Sequence, residues 1–107
     1  MVDNTRKNNV IKNLKAFAKE ASDDNKAYSR LGKDDNSYDC LALMTNAKIL
    51  IDSLKTGNAV SNYNVSTYAG PAPDGFDDLL WDLEGPVTVE FAEMWLQMAE
   101  MALADIM

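Results

Sequence analysis

The final segment, from Pro86 to Met107, has more apolar surface at helical spacing than any other part of the chain. Its strongly polar positions after the start are Glu90, Glu93, Gln97, Glu100 and Asp105. The first four of these fall in one narrow stripe of a helix with about 3.6 residues per turn. Apolar side chains cover most of the remaining circumference: Phe91, Met94, Trp95, Leu96, Met98, Met101, Leu103 and Ile106. The segment is therefore predicted to be a helix that crosses the core with other helices on two sides.

The three methionines of this segment allow two interpretations. Met-rich surfaces can form adaptable grooves for a partner. At helical spacing beside leucine and alanine, however, Met94, Met98 and Met101 are more typical of a core. The sequence therefore favours burial of all three methionines, together with Trp95.

The first half of the chain has the same helical period. An amphipathic helix is predicted from about Asn4 to Ala21, with lysines on its wet side. The cap-type residues of segment 22–25 then predict a second, short helix that ends at Gly32. A third helix is predicted from Tyr38 to Thr56, with Asn36 or Ser37 as its cap, Leu41 on its inner face and Gly57 as its stop.

The second half of the chain begins with an irregular stretch. Segment 58–73 is rich in Asn, Ser, Gly and Pro, and is either a working surface or the location of a short strand or helical turn. Asp74 then caps a predicted helix whose apolar stripe includes Phe76 and Leu83 and which ends at Gly85. Pro86 suits the first turn of the last helix.

These elements predict an all-α fold. The expected architecture is a compact bundle of four to five helices with one long irregular loop at about 58–73. Residues 1–107 are predicted to form a single helical domain, since the length is typical of one domain and no interdomain linker is visible.

The charge distribution is uneven along the chain. Seventeen acidic residues oppose ten basic ones, with no histidine, which gives a net charge of -7. Residues 1–33 have a balance of +4, whereas residues 34–107 have a balance of -11 and no basic residue after Lys55. Such asymmetry is typical of an interaction surface. Direct nucleic-acid binding through the acidic part and attachment to an anionic membrane are both disfavoured.

A cytoplasmic location is expected from three features. The chain begins with polar residues and has no apolar signal-peptide core, and its last helix is too charged to span a bilayer. The single cysteine, Cys40, cannot form an internal disulfide, which fits a reducing compartment.

Catalytic and metal chemistry are disfavoured by the residue content. With no histidine, Cys40 has no imidazole base and an ordinary structural zinc site is excluded. Cys40 is instead expected to be a small buried core residue, beside Leu41 and Leu43 on its helix. The acids from Asp74 to Asp82 do not fit the EF-hand pattern, because Leu79 stands where that loop needs glycine. No glycine-rich phosphate loop is present. We therefore expect a protein that is not an enzyme and has no cofactor or metal.

The strongest candidate surface surrounds Trp81. This indole lies about a third of a turn off the apolar stripe of its segment and is surrounded by acids, as interface anchors often are. The predicted partner-binding residues are Asp74, Asp77, Asp78, Trp81, Asp82, Glu84, Glu90 and Glu93. The alternative is that these carboxylates only keep the protein soluble.

These observations predict a small acidic, non-catalytic inhibitor or adaptor. Its acidic face would dock on a basic protein partner, such as a nucleic-acid-binding or nuclease complex. In size, acidity and lack of catalytic residues the chain resembles the small phage-encoded inhibitors of bacterial defence systems, anti-CRISPR proteins among them, and nuclease immunity proteins. That likeness implies the cytoplasm of a host cell, and no site residue is carried over from it. The alternative is a self-associating structural protein, in which the basic third of one copy meets the acidic remainder of another to form a homodimer.

Overall fold

The fold consists of helices joined by short turns and one long irregular segment. In the computed structural model, residues 4–73, 75–76 and 78–106 are described. The α-helices in this part of the chain are α1 (Thr5–Arg30), α2 (Asp34–Thr56), α3 (Asp78–Trp81) and α4 (Val89–Asp105). A single 3₁₀ turn covers Val60–Asn62, and the described ranges contain no strand. The predicted all-α bundle is confirmed.

Helices α1 and α2 form a long hairpin, and α4 contacts both of them. The turn between α1 and α2 needs a left-handed residue, and Gly32 takes this conformation with φ of 73°. Near this end of the hairpin, the side-chain amide of Asn25 donates to the backbone carbonyl of Ser37 over 2.6 Å and to its hydroxyl over 2.8 Å. These bonds fix the ends of the two helices against each other.

The predicted break after Ala21 is wrong, because α1 continues without interruption to Arg30. Cap-type residues have only a weak preference against a helix interior, and tertiary contacts outweigh it here. Asn25 bonds to α2, and the hydroxyl of Tyr28 donates to the carbonyl of Ile106 over 2.9 Å. The expected short second helix is therefore the last part of α1.

The boundaries and inner face of α2 also differ from the prediction. The helix begins at Asp34, and neither Asn36 nor Ser37 is its cap. Acids at its first turn favour this start, since carboxylates stabilise a helix N-terminus. Leu41 was expected to face the core but is exposed. The end at Gly57, with φ of 77°, is as predicted.

The core is one continuous cluster of buried apolar residues from all parts of the fold. Trp95 is only 1% exposed and lies between two other rings. The ring of Phe17 meets it edge-on at 5.9 Å between centroids, and the ring of Phe76 is stacked on it at 6.0 Å. The predicted burial of Trp95 is confirmed, and so is the burial of Cys40.

Of the alternatives for segment 58–73, a helical turn is present: the 3₁₀ turn at Val60–Asn62. Val60 and Tyr68 from this segment are buried in the core. Two polar residues of α2 hold the segment in place. Asn46 bonds to the backbone of Ser66, and the hydroxyl of Ser53 donates to the carbonyl of Asn58 over 2.7 Å.

The helix predicted before Gly85 is much shorter than expected, since α3 is a single turn. Gly75 has φ of 82°, a left-handed conformation that does not continue a helix. The expected cap, Asp74, lies outside the described residues. The prediction for Pro86 is also wrong, because α4 begins at Val89 and the Thr88 hydroxyl caps it by accepting a bond from the Phe91 amide. Before that cap, the amide of Val87 donates to the hydroxyl of Ser53.

Helix α4 buries one side and exposes the other. The predicted contact with helices on two sides is observed. The predicted burial of Met94 and Met101 is wrong, however, because these side chains are 43% and 56% exposed. The two residues are seven positions apart and so lie on the same side of the helix, roughly opposite the buried Ala99. Met98 is partly buried against the core.

Candidate functional site

The predicted anchor, Trp81, ends the one-turn helix α3 and is 58% exposed. We call Asp78, Trp81, Asp82 and Glu84 the tryptophan turn. Backbone bonds from the Asp82 amide to the Asp78 carbonyl and from the Leu83 amide to the Leu80 carbonyl close it. All four side chains that define the turn are exposed. The predicted exposure of Trp81 is thus confirmed.

Two buried residues, Phe76 before the tryptophan turn and Leu80 within it, attach the turn to the core. Phe76 and Leu80 are buried, and both line a small internal cavity against Trp95. Because Leu80 points into the core, the next residue of the turn points away from it. The two buried residues before Trp81 therefore attach the turn to the core, and the indole itself points to solvent.

The carboxylates of the tryptophan turn differ from those at the start of α4. Among the described residues, Asp78, Asp82 and Glu84 form no ion pair. Of the other predicted surface residues, Asp74 and Asp77 lie outside the described residues. The structure therefore brings three acids and the indole together in one exposed turn.

Glu90 and Glu93 form ion pairs within the protein. The Arg6 guanidinium donates to Glu93 from both Nε and a terminal nitrogen, and to Glu90 over 3.2 Å. The bonds and charge of Glu93, followed by the charge of Glu90, raise the pKa of Arg6 above its usual value. Two of the predicted docking carboxylates thus join the start of α4 to the start of α1.

A basic groove between α1 and α2 was not predicted as a site. Its first part has a volume of about 550 Å³ and is lined by Lys7, Asn8, Ile11, Lys12, Lys15 and Lys55. Its second part, of about 460 Å³, shares Lys15 and adds Lys19, Lys26 and Lys48 around Met44 and Ile51. We call these two parts together the lysine groove.

The lysine groove concentrates like charges. The proximity and like charge of the Lys55 ammonium lower the pKa of the Lys15 ammonium below its usual value. The acid that lines the groove is Asp23, and its carboxylate accepts a bond from Lys19 over 3.3 Å. The sequence signal for this groove was the run of lysines on the wet side of α1, but the contributions of Lys48 and Lys55 required the packing of α2 against α1.

The opposite edge of α1 is acidic. Glu20, Asp24 and Glu100 line a groove of about 440 Å³ between α1 and α4. The lysines of α1 therefore lie towards α2, whereas Glu20 and Asp24 lie towards α4. Arg6, which pairs with α4, and Asp23, which lines the lysine groove, are the exceptions.

The remaining titratable groups occupy packed positions. Burial and the nearby charges of Asp24 and Asp39 raise the pKa of the Cys40 thiol to about 11, so the thiol stays protonated near neutral pH. Burial also raises the pKa of the Asp39 carboxyl, although a bond from the Ala69 amide partly opposes this. Within residues 4–73, 75–76 and 78–106, no three His, Cys, Asp or Glu residues are placed to hold a metal ion.

Comparison of the chain with protein-family models, with curated proteins and with solved structures found no match. In the described part of the chain, no helix is long and apolar enough to cross a membrane.

Proposed function

We propose that this protein is a small non-catalytic inhibitor or adaptor that docks the tryptophan turn on a basic protein partner. A phage-type inhibitor of a bacterial defence complex, acting on a nucleic-acid-binding or nuclease component, fits this role. The observation that supports the proposal is the exposure of Trp81 among carboxylates without described ion pairs. Tryptophan is enriched among residues that contribute most to binding, and an indole fixed in place loses little entropy on docking.

The charge of the protein supports the same role. With a net charge of -7, its field attracts a positively charged surface and accelerates encounter. Arg6 partly neutralises Glu90 and Glu93, which leaves the tryptophan turn as the centre of the proposed contact and the two glutamates at its periphery. The role of each acid is thus expected to be steering, and that of Trp81 to be anchoring.

Capture and kinetics together test the proposal. The immobilised protein is used to capture partners from a lysate of its own cell, and association with the purified partner is then followed at several salt concentrations. D78K/D82K should slow association and leave an affinity that is less sensitive to salt. Trp81→Ala should mainly raise the dissociation rate, because it removes the side chain that the partner would bury in the complex.

The matched control changes the same amount of charge elsewhere. E20K/D34K alters two exposed acids outside the tryptophan turn and should reduce the association rate far less. Equal losses in both charge variants would assign the effect to net charge alone. Unchanged binding in D78K/D82K and Trp81→Ala would contradict the proposed docking site, and equal losses from Lys12→Glu or Lys15→Glu would mean that the wrong face was chosen.

A further inference from the structure

The lysine groove and the outer face of α4 are two exposed surfaces with opposite charge. The outer face of α4 consists of Glu90, Met94, Gln97, Glu100, Met101 and Asp105, all of which are exposed. Seven lysines line the groove, against one aspartate that is already bonded to Lys19. Glu90 is paired with Arg6, but Glu100 and Asp105 form no ion pair among the described residues, so the α4 face retains acidic groups that the lysines of the groove could pair with.

The apolar parts of the two surfaces have matching spacing. Met94 and Met101 are seven residues apart, about 10.5 Å along the helix axis. On α2, Met44 and Ile51 have the same separation and line the groove between its lysines. Ridges with an equal period can interdigitate when one helix lies along another. A helix with the pattern of α4 thus fits the groove in both charge and shape.

The outer face of α4 cannot reach the groove of its own chain. Helix α4 packs with its opposite side on the core, through residues such as Trp95 and Ala99, so its outer face points away from the protein. The docking helix must then come from another molecule. We propose that the lysine groove binds the outer face of α4 from a second copy of this chain.

This contact is head-to-tail, because it joins two different surfaces. The pair as a whole then retains one free groove and one free α4 face, so association continues beyond two copies unless a ring closes. The tryptophan turn belongs to neither surface, and the inference therefore does not rest on the proposed inhibitor function. A docked second copy would also leave Trp81 free for another partner.

Other occupants of the groove are less well matched. A nucleic-acid backbone would use the lysines, but the groove lining has no aromatic side chain on which a base could stack. The apolar residues Ile11, Met44 and Ile51 would have no role in a contact limited to phosphates. A second copy uses both the lysines and the apolar residues between them.

Sedimentation of paired variants tests this inference. The wild type should show a sedimentation coefficient that rises with protein concentration, and 1 M salt should reduce this rise, because the Debye length is then about 3 Å. K15E/K48E reverses the groove, and E100K/D105K reverses the α4 face. Each variant alone should remain monomeric. An equimolar mixture should associate, since the first variant retains its α4 face and the second retains its groove.

The controls separate this contact from general charge effects. R30E/K33E changes the charge as much as the groove variant but lies at the α1–α2 turn, and it should associate like the wild type. D78K/D82K is the corresponding control for the α4 variant and should also associate with other copies, although it is expected to bind the partner of the proposed function more weakly. Circular dichroism establishes that every variant is folded before sedimentation.

Several outcomes would overturn the inference. The inference is wrong if the wild type stays monomeric at all concentrations. It is also wrong if folded K15E/K48E still associates by itself, or if the equimolar mixture of the two variants fails to associate. Binding of a fluorescent DNA duplex to a monomeric wild type, lost in K15E/K48E, would instead identify a phosphate-backbone site. If R30E/K33E also failed to associate, the loss of association in K15E/K48E would be due to the change in net charge and not to the lysine groove.

Discussion

The side chain of Asn46 on α2 forms a reciprocal pair of hydrogen bonds with the backbone of Ser66. Its amide nitrogen donates to the Ser66 carbonyl over 2.8 Å, and its carbonyl oxygen accepts from the Ser66 amide over 2.9 Å. Asn46 is buried, so both backbone groups depend on it in place of water. One side chain thus satisfies both backbone hydrogen-bonding groups of Ser66 and ties segment 58–73 to α2.

Asn46→Ala should therefore lower the free energy of unfolding by about 1 to 3 kcal/mol, because it removes two hydrogen bonds and leaves the partly buried amide and carbonyl of Ser66 without their partner. Urea unfolding measures this loss. Hydrogen exchange should also show faster exchange of the Ser66 amide in the variant. Exchange at the wild-type rate would mean that the pair does not hold the segment.

Gly70→Ala should be destabilising for a steric reason. A Cβ at Gly70 would lie 2.6 Å from the Tyr68 hydroxyl and 2.7 Å from an oxygen of Asp39. Tyr68 is buried and donates to the Pro71 carbonyl over 2.7 Å, so it cannot easily move away. We expect a loss of about 1 to 3 kcal/mol in urea unfolding, as for other overpacked sites.

Gly85→Ala is the matched control for this substitution. A Cβ at Gly85 meets no atom within 4 Å, and its φ is not in the left-handed region. The free energy of unfolding should stay the same or rise by about 0.4 to 1 kcal/mol, because alanine restricts the unfolded chain. Equal losses at both positions would refute the steric explanation for Gly70.

The two tryptophans should respond differently to truncation. Trp95→Ala removes a buried ring that contacts Phe17 and Phe76, and should cost about 3 to 5 kcal/mol. Trp81→Ala removes a mostly exposed ring and should cost much less. Thermal or urea unfolding followed by far-ultraviolet circular dichroism compares them, and similar losses would contradict the separation into core and surface.

The Arg6 ion pairs should contribute little stability and should depend on salt. Arg6→Gln is expected to lower Tm slightly at low ionic strength, with the difference lost at 1 M salt, since exposed pairs are weak and screened. A double-mutant cycle with Glu93→Gln isolates the pair. A coupling that persists at high salt would indicate packing by the arginine stem instead of charge.

The Cys40 thiol should make stability fall at alkaline pH. Its pKa is about 11 in the folded protein and about 9 when unperturbed. Between these values the unfolded thiol loses its proton while the folded one keeps it, so the unfolded state binds fewer protons and the free energy of unfolding decreases as pH rises. This contribution is complete below about pH 9 and is lost as pH approaches 11.

Urea unfolding of the wild type and of Cys40→Ala at several pH values measures that dependence. All other groups are common to the two proteins, so the difference between the two curves isolates the thiol. The wild type should lose more stability than Cys40→Ala above pH 9. Parallel curves would show that the thiol does not contribute.

Local patterns in the sequence were sufficient to predict the helical fold, the burial of Trp95 and Cys40, and the exposure of Trp81. These features depend on periodicity and on neighbours a few residues away, which a sequence displays directly. The stop of α2 at Gly57 has the same local origin, because glycine adopts the left-handed conformation at little cost. The roles of the acids around Trp81 stay predictions.

Tertiary contacts decided the remaining features, because they involve residues far apart in the chain. Arg6 meets Glu93 across 87 positions, and Lys15 meets Lys55 only because α2 packs against α1. The same packing keeps α1 helical past Ala21. Periodicity shows that α4 is apolar on most sides, but it does not show how many helices cover those sides. In the fold, α1 and α2 cover only part of α4, so Met94 and Met101 are exposed.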